Sequence, residues 1–239
     1  MRTEAYMKIL ELFSGTGVLS AAFRERGHET LTVDWSRDGD NPDICTDIGG
    51  LRAEDVVRRF GRPDIIWASP DCTTYSVASI VCHRDGTRPE TRYAQTCDDV
   101  NAHVCDLIRE LSPKAWFIEN PRGMMRKMPF ILKLLTDTGG SRHTVTYCQY
   151  GETRQKPTDI FTNHPDPQFK PPCNRGDPCH TAAPRGSKTG TQGIRGEART
   201  GEASEGFVRS RCAHLRESRR SRKVCKQRAD SAVSPLSTC

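Results

Sequence analysis

Apolar positions in the first two-thirds of the chain fall into short runs separated by stretches with helical spacing. Lys8-Ile9-Leu10-Glu11-Leu12-Phe13 is a strand-length run that stops at Ser14-Gly15-Thr16-Gly17, and Leu19, Ala22 and Phe23 then follow a helical period up to Gly27. Thr30 to Asp34 reads as the next strand, and Val56, Val57 and Phe60 mark a helix closed by Gly61-Arg62-Pro63. Asp64 to Ser69 is a continuous apolar run of the kind found in strands buried on both faces, and it ends at Pro70. The spacing predicts a long helix over 92–111 stopped by Ser112-Pro113, a strand at Ala115–Glu119, a helix near 124–135 and a strand from Thr144 to Tyr150. Strands alternating with helices imply βαβ units and hence an α/β fold with a mostly parallel sheet.

The character changes after Asn163. Residues 164–193 are rich in proline and polar side chains and read as a small loop-rich region. Only seven of the 46 residues in 194–239 are Val, Ile, Leu, Met or Phe, too few to offset the entropy of ordering a chain. The expected organisation is a catalytic domain over 1–163, a recognition or metal-binding region over 164–193 and a basic, disordered tail over 194–239. Charge supports this division: the tail holds 11 basic and five acidic residues, which accounts for the whole net charge of +6. A basic tail on a neutral body could hold phosphates non-specifically; a solvated terminus is the plain alternative. No run of about 18 apolar residues is present, so no membrane span is expected. The N-terminal MRTEAYMKIL lacks the apolar core of a signal peptide. With eleven cysteines, an odd number, the expectation is a cytoplasmic protein with reduced thiols available for catalysis or metal binding.

Three strand ends carry candidate chemistry. Phe13-Ser14-Gly15-Thr16-Gly17 lies between a strand and a helix, where glycines let the backbone approach a ligand. Asp34, at the end of the second strand, can accept hydrogen bonds from ribose hydroxyls, and Asp47-Ile48 could hold an adenine edge. A tight turn with two surface aspartates is the bland reading; a third glycine is missing, which disfavours a dinucleotide. Cys72 follows the buried strand, where a thiol could ionise and act as a nucleophile or else lie inert in the core. Glu119 ends another strand; enclosed there, it would have a raised pKa and could protonate a ring nitrogen, unless it is a simple loop acid.

Taken in order, these segments resemble the cytosine-C5 DNA methyltransferase family, in particular its small bacteriophage members. Ile9–Gly17 resembles the cofactor motif, Ser69-Pro70-Asp71-Cys72 the Pro-Cys nucleophile motif, Glu119-Asn120-Pro121 the Glu-Asn motif, and Tyr147–Lys156 the basic motif. The match covers about 8–163 and extends weakly to 184–193. The resemblance implies a Rossmann-like methyltransferase domain that binds S-adenosylmethionine and acts on DNA, with no membrane and no obligate protein partner. It implies catalytic roles for Cys72, Glu119 and Arg154. It implies cofactor contacts from Phe13, Ser14, Gly15, Thr16, Gly17, Asp34, Trp35, Asp47, Ile48 and Ser69, with Trp35 against the adenine face. Pro70, Asn120 and Lys156 would bind substrate. A thiolate at Cys72 would add to carbon 6 of a cytosine swung out of the duplex, Glu119 would hold N3, and carbon 5 would then take the methyl group.

Several positions depart from the family pattern. Asp71 stands where a second proline is usual, and a carboxylate there is expected to raise the Cys72 pKa and slow attack unless a cation lies between them. Lys156 and Thr158 stand where arginines are usual, so a planar fork is lost. No closing motif is evident after Gly193, and only a short stretch is available for target recognition. Two rival functions follow: an impaired methyltransferase fold that only holds nucleic acid, or a cytosine C5 transferase acting on tRNA or a free nucleotide. Separately, Cys173, Cys179 and His180 lie within eight residues and could share a zinc ion with His164 or Cys148 as fourth ligand. The alternative is reduced surface cysteines in a turn around Gly176-Asp177-Pro178. The Gly, Ser and Thr of Arg185–Gly193 suit either a phosphate-gripping loop or a linker.

Overall fold

The computed structural model describes residues 6–36, 41–174 and 176–181. The tail over 194–239 and the Arg185–Gly193 loop therefore lie outside the described residues. The strands are β1 (Lys8–Leu12), β2 (Glu29–Asp34), β3 (Ile44–Cys45), β4 (Ile65–Ala68), β5 (Arg84–Asp85), β6 (Arg88–Pro89), β7 (Ala115–Pro121), β8 (Ser141–Thr146) and β9 (Pro157–Thr162). The helices are α1 (Val18–Arg24), α2 (Ala53–Phe60), α3 (Arg92–Leu111) and α4 (Pro129–Thr138). Seven strands form one sheet in the order β3-β2-β1-β4-β7-β9-β8, and β5 pairs with β6 in a small hairpin. The first five strands of that order are parallel neighbours. Strand β9 pairs antiparallel with both β7 and β8, so it alone is reversed in the sheet. The predicted α/β, mostly parallel architecture is what the chain adopts.

Its centre is apolar because the central strands are covered on both faces. Ile9, Leu10, Leu12, Ile66, Ala68 and Ile118 are almost fully enclosed. Helix α3 spans the predicted 92–111, and its buried positions Ala94, Cys97, Asn101, Val104, Cys105, Ile108 and Leu111 recur every three or four residues. The Thr91 hydroxyl accepts from the Ala94 N–H at 3.1 Å to cap its start. It ends at Ser112, a left-handed residue that Pro113 keeps from continuing the helix.

Two expectations are corrected at the far side of the sheet, and one strand there was not foreseen. The predicted strand 144–150 ends at Thr146, and Tyr147–Tyr150 is a 3-10 turn. The predicted helix near 124–135 is a 3-10 turn at Met124–Lys127 followed by α4, which starts at Pro129 because a proline nitrogen needs no partner in a first helical turn. Strand β9 escapes the hydrophobic pattern, since only Ile160 and Phe161 in PTDIFT are strongly apolar. Its polar members are nonetheless buried because each has a partner. Asp159, 1% exposed, receives Arg126 Nε at 2.8 Å and the Thr144 hydroxyl at 2.8 Å.

Removing Arg126 leaves the Asp159 carboxylate enclosed without its cation. Arg126→Ala is expected to lower the unfolding free energy by about 3 kcal/mol, measured by urea denaturation. A change below about 0.5 kcal/mol, the range of an exposed pair, would contradict this account of β9.

Candidate active site

In the strand order, β1 and β4 are the neighbours from which the chain winds in opposite directions, through β2 to β3 on one side and through β7 on the other. Loops leaving the carboxyl ends of two such strands diverge and open a crevice, the usual ligand site of an open α/β sheet. Both candidate motifs of the sequence flank this point: Phe13–Gly17 leaves β1, and Ser69–Cys72 leaves β4.

The β1 turn is built from left-handed residues. Phe13, Gly15 and Gly17 have φ of 60°, 52° and 67°. Glycine meets this demand at the last two, whereas Phe13 sits there under a strain of about 1–2 kcal/mol. Two buried carboxylates brace the turn. Glu11, within β1, accepts from the Ser20 N–H at 3.0 Å and from the Ser20 hydroxyl, which ties the strand to α1. Asp34, at the end of β2, accepts from the Gly15 N–H at 3.0 Å and the Ser36 N–H at 3.2 Å. Burial pushes the Glu11 pKa up, and its bonds to Ser20 oppose that rise. Glu11 escaped the sequence reading because it reads as one polar break in an apolar strand. A β-carbon at Gly15 would meet no atom within 4 Å, so the backbone there faces open space. Trp35 is 37% exposed beside the turn's Asp34 brace. Asp47 is exposed and accepts from the Gly49 N–H at 2.9 Å, while the Ile48 side chain belongs to the core. Ser14 is buried and Thr16 half-buried in the turn itself. Ser69 joins the other wall: its N–H donates to the Leu12 carbonyl at 3.3 Å, and its hydroxyl accepts from Trp67 Nε1 at 2.8 Å.

On the β4–β7 side the two segments of interest are bonded together. Asn120, fully enclosed in β7, donates from Nδ2 to the Pro70 carbonyl at 3.1 Å, two residues before Cys72. The thiol of Cys72 feels both its burial and the charge of Glu119, which push its pKa up, while Lys156 pulls it down; the net direction is up. Glu119 is itself raised by burial, against the charge of Lys156 and a 2.8 Å hydrogen bond from the Tyr147 hydroxyl. Lys156 lies 4.5 Å above the Tyr147 ring and has φ of 31°. Cys72, Glu119 and Lys156 thus form one electrostatic unit although they are far apart in sequence. Arg154 has turned elsewhere: it is half-exposed and paired with Glu152 at 3.0 Å.

The Asp71 carboxylate accepts from the Thr73 N–H at 3.0 Å and the Thr73 hydroxyl at 2.8 Å, and from the Tyr93 hydroxyl, so it caps the turn that follows. Glu119 is a second carboxylate near the thiol, and its charge raises the thiol's pKa.

Two further features that the sequence reading missed fix the loop after Cys72. Arg84, its side chain fully enclosed, donates to both carboxylate oxygens of Asp98 on α3, at 2.6 and 2.9 Å, and to the Thr74 carbonyl at 2.8 Å. Tyr75 donates to the same Asp98 at 2.7 Å and stacks under the guanidinium. Gly123 then meets this loop: the Met124 N–H donates to the Tyr75 carbonyl at 2.7 Å, and a β-carbon on Gly123 would lie 2.2 Å from that oxygen. A backbone carbonyl cannot swing aside as a flexible side chain would, so only glycine allows the loops from β4 and β7 to meet.

The metal candidates also come together in part. Cys148, Cys173, Cys179 and His180 converge, whereas His164 stacks against Phe117 instead. Cys148 and Cys173 are buried rather than on the surface.

Gly123→Ala is expected to separate the two loops and lower the midpoint of thermal unfolding by several degrees, as a loss of about 1–3 kcal/mol requires; an unchanged midpoint would contradict the close approach. Alkylation tests the electrostatic unit, since the thiolate is the reacting form. At neutral pH Cys72 alkylation should be slow and should rise about tenfold per pH unit toward the raised thiol pKa. Glu119→Gln removes a charge that raises this pKa and should speed alkylation at fixed pH; Lys156→Ala removes the one that lowers it and should slow it. Mass spectrometry of the Cys72 peptide measures both, and changes in the same direction would refute the arrangement.

No protein-family model matches this chain, and no curated protein sequence does. Among solved structures, the chain is similar to one described as a DNA modification methyltransferase encoded within a prophage of E. coli. That match has 20% identity and a TM-score of 0.50, over 65% of this chain and 46% of the other. It is also similar to the methyltransferase EhMeth of Entamoeba histolytica, with 13% identity and a TM-score of 0.52, over 66% and 53% of the two chains. The chain thus spans about half the length of the structures it matches, and what it shares with them is the α/β methyltransferase fold.

Proposed function

We propose that this chain is an S-adenosylmethionine-dependent methyltransferase that forms 5-methylcytosine in DNA, of the kind encoded by bacteriophages and active in a host cytoplasm. The observation that carries the reading is the electrostatic unit of Cys72, Glu119 and Lys156, set beside the β1–β4 crevice. No helix among the described residues is long and apolar enough to cross a membrane. The S-adenosylmethionine site would comprise Phe13–Gly17, Asp34, Trp35, Asp47, Ile48 and Ser69. These residues suit it chemically: open backbone at Gly15, an exposed indole at Trp35, and acids at the ends of neighbouring strands for ribose hydroxyls and an adenine amino group. The cofactor supplies an electrophilic methyl group when bound.

The chain's own residues do the rest. Cytosine carbon 5 is a poor nucleophile while the ring is aromatic. The Cys72 thiol loses its proton, helped by the charge of Lys156, and the sulfur adds to carbon 6. The electron pair of the 5,6 double bond then becomes available at carbon 5. Glu119, whose pKa burial pushes up, donates to N3 once it carries a proton and withdraws electron density from carbon 6, which assists the addition. Carbon 5 takes the methyl group, its proton passes to solvent water, and the electron pair left behind re-forms the 5,6 double bond as the carbon–sulfur bond breaks to restore the thiolate. Asn120 holds Pro70 and with it the position of the sulfur, and the Arg84–Asp98 pair holds the loop that follows Cys72. Arg154, half-exposed and bound to Glu152, is placed to exchange that partner for a phosphate. Extrusion of the base costs a few kcal/mol, which backbone contacts must supply.

Incubation with labelled S-adenosylmethionine and separate samples of duplex DNA, tRNA and dCMP tests the reading. Label is expected in DNA as 5-methylcytosine by nucleoside mass spectrometry. Cys72→Ser should abolish it, and Glu119→Gln should reduce kcat by about 10²–10⁴-fold. Label confined to tRNA or dCMP would reassign the substrate, and DNA binding without product would leave only the binding fold. DNA containing 5-fluorocytosine should trap a covalent adduct at Cys72; an adduct at another residue would end the proposed mechanism.

A further inference from the structure

Three thiols and one imidazole gather beside the loop that carries Tyr147 and Lys156, and none of them belongs to the chemistry above. Cys148 comes from the 3-10 turn after β8; Cys173, Cys179 and His180 come from the loop-rich segment after β9. Their ligand atoms all lie within 4.8 Å of one another. Cys148 Sγ is 3.2 Å from Cys173 Sγ and 3.6 Å from Cys179 Sγ, and His180 Nδ1 is 3.6 Å from Cys173 Sγ and 3.5 Å from Cys179 Sγ.

From these distances we propose that Cys148, Cys173, Cys179 and His180 bind one zinc ion and that this site fastens the 164–181 segment to the 147–156 loop. A tetrahedron with zinc–sulfur bonds of about 2.3 Å has sulfur–sulfur edges of about 3.8 Å and slightly shorter edges to nitrogen. The observed separations cluster near those edges. They are far too long for a disulfide, whose sulfurs are about 2.05 Å apart, and all three cysteines are free thiols. Three thiols packed together without a metal would gain little, because a thiol is a weak donor and a weak acceptor. Zinc binding converts them to thiolates with release of three protons and gives the cluster a net charge of −1.

The surroundings suit thiolate ligands. Gln155 Nε2 donates to Cys173 Sγ at 3.2 Å, and Gln149 Nε2 to Cys179 Sγ at 3.6 Å, so amide N–H groups already point at two of the sulfurs. The Cys173 N–H donates to the Thr146 hydroxyl at 2.9 Å and the Thr181 N–H to the Thr153 carbonyl at 3.0 Å, which brackets the segment on both sides of the cluster. The described residues of 163–181 include no helix or strand, and beyond those bonds the segment meets the 147–156 loop through Lys170, which donates to the Gln149 carbonyl and the Tyr150 hydroxyl, each at 2.8 Å. The site holds four protein ligands, which marks it as structural, with no coordination position left for a substrate.

The test uses the full chain, expressed with zinc and purified under reducing conditions. Plasma mass spectrometry should find about one zinc per chain. Chelation followed by cobalt(II) addition should give the intense visible bands and sulfur-to-metal charge transfer of a tetrahedral thiolate site. Cys45→Ser should leave the stoichiometry unchanged, whereas Cys148→Ser and Cys179→Ser should lose the metal. Gln155→Ala, which keeps all four ligands, should weaken zinc about tenfold. Chelated protein should become cleavable by protease within 164–181 and regain protection with zinc. Octahedral cobalt spectra, zinc that Cys45→Ser removes as readily as Cys148→Ser, or a Cys148–Cys173 disulfide in the peptide map would each overturn the site. None of these readouts depends on methyl transfer, so the zinc site and the proposed activity can fail separately.

Discussion

A thiol and a carboxylic acid, both taken out of water at the ends of neighbouring strands, share the field of one lysine, and most of the surrounding structure serves that arrangement. Burial raises the pKa of both Cys72 and Glu119. Ionising either makes ionising the other harder, and Lys156 lowers the cost for both. Such a pair holds one negative charge more readily than two, as coupled sites do. A reaction that needs a thiolate and a proton donor at once requires that charge on sulfur and the proton on the carboxyl group, and the burial of Glu119 shifts the balance in that direction. The sheet supplies the proximity, since β4 and β7 are in register side by side. Asn120 supplies the rest by bonding the β4 loop directly to the residue after Glu119.

Holding a reactive loop in place requires contacts that survive burial. The Arg84–Asp98 pair would be a poor source of stability in itself, because desolvation offsets most of its attraction. Its value lies in geometry: five hydrogen-bond donors of one guanidinium fix a carboxylate on α3, a carbonyl and a hydroxyl of the loop, and the face of Tyr75 together. Gly123 adds a steric requirement to the same end. The loop that carries Cys72 is therefore clamped from α3 and from the β7 loop, while Cys72 itself is half-buried.

Much of this was legible in the sequence because strands β1, β2, β4 and β7 are largely buried and the helices between them end at clear stops. The Gly15–Gly17 turn, Asp34, Cys72 and Glu119 were found as strand ends followed by special residues, a local signal. What was missed depends on partners distant in sequence. Strand β9 is polar in composition and buried only because Arg126 and Thr144 answer Asp159. Nothing local shows the Asp71 carboxylate folding onto Thr73 and Tyr93. Lys156 stood out as a substitution for arginine, yet its nearness to Cys72 and Glu119 follows from the reversed strand β9 returning along β7. The convergence of Cys148 with Cys173 needs that same return.

The reversed strand explains why the segment from 147 to 181 behaves as one piece. Its two flanks, β8 and β9, are hydrogen-bonded neighbours, so the turn between them, Tyr147–Lys156, is pinned at both ends. One face of that turn presents the Tyr147 hydroxyl and Lys156 to Glu119; its other contacts are Cys148, Gln149 and Gln155 at the thiol cluster. A metal that fixes Cys148 against Cys173 and Cys179 therefore also limits how far Tyr147 and Lys156 can drift from the carboxyl group they attend. Lys156 holds a backbone angle that a lysine rarely adopts, φ of 31°, a strain of about 1–3 kcal/mol that persists only where the surroundings over-determine it. Sheet pairing on one side and a four-ligand staple on the other provide that over-determination, which is how a loop-rich appendage with no core of its own can bear on the charge state of a residue in the middle of the sheet.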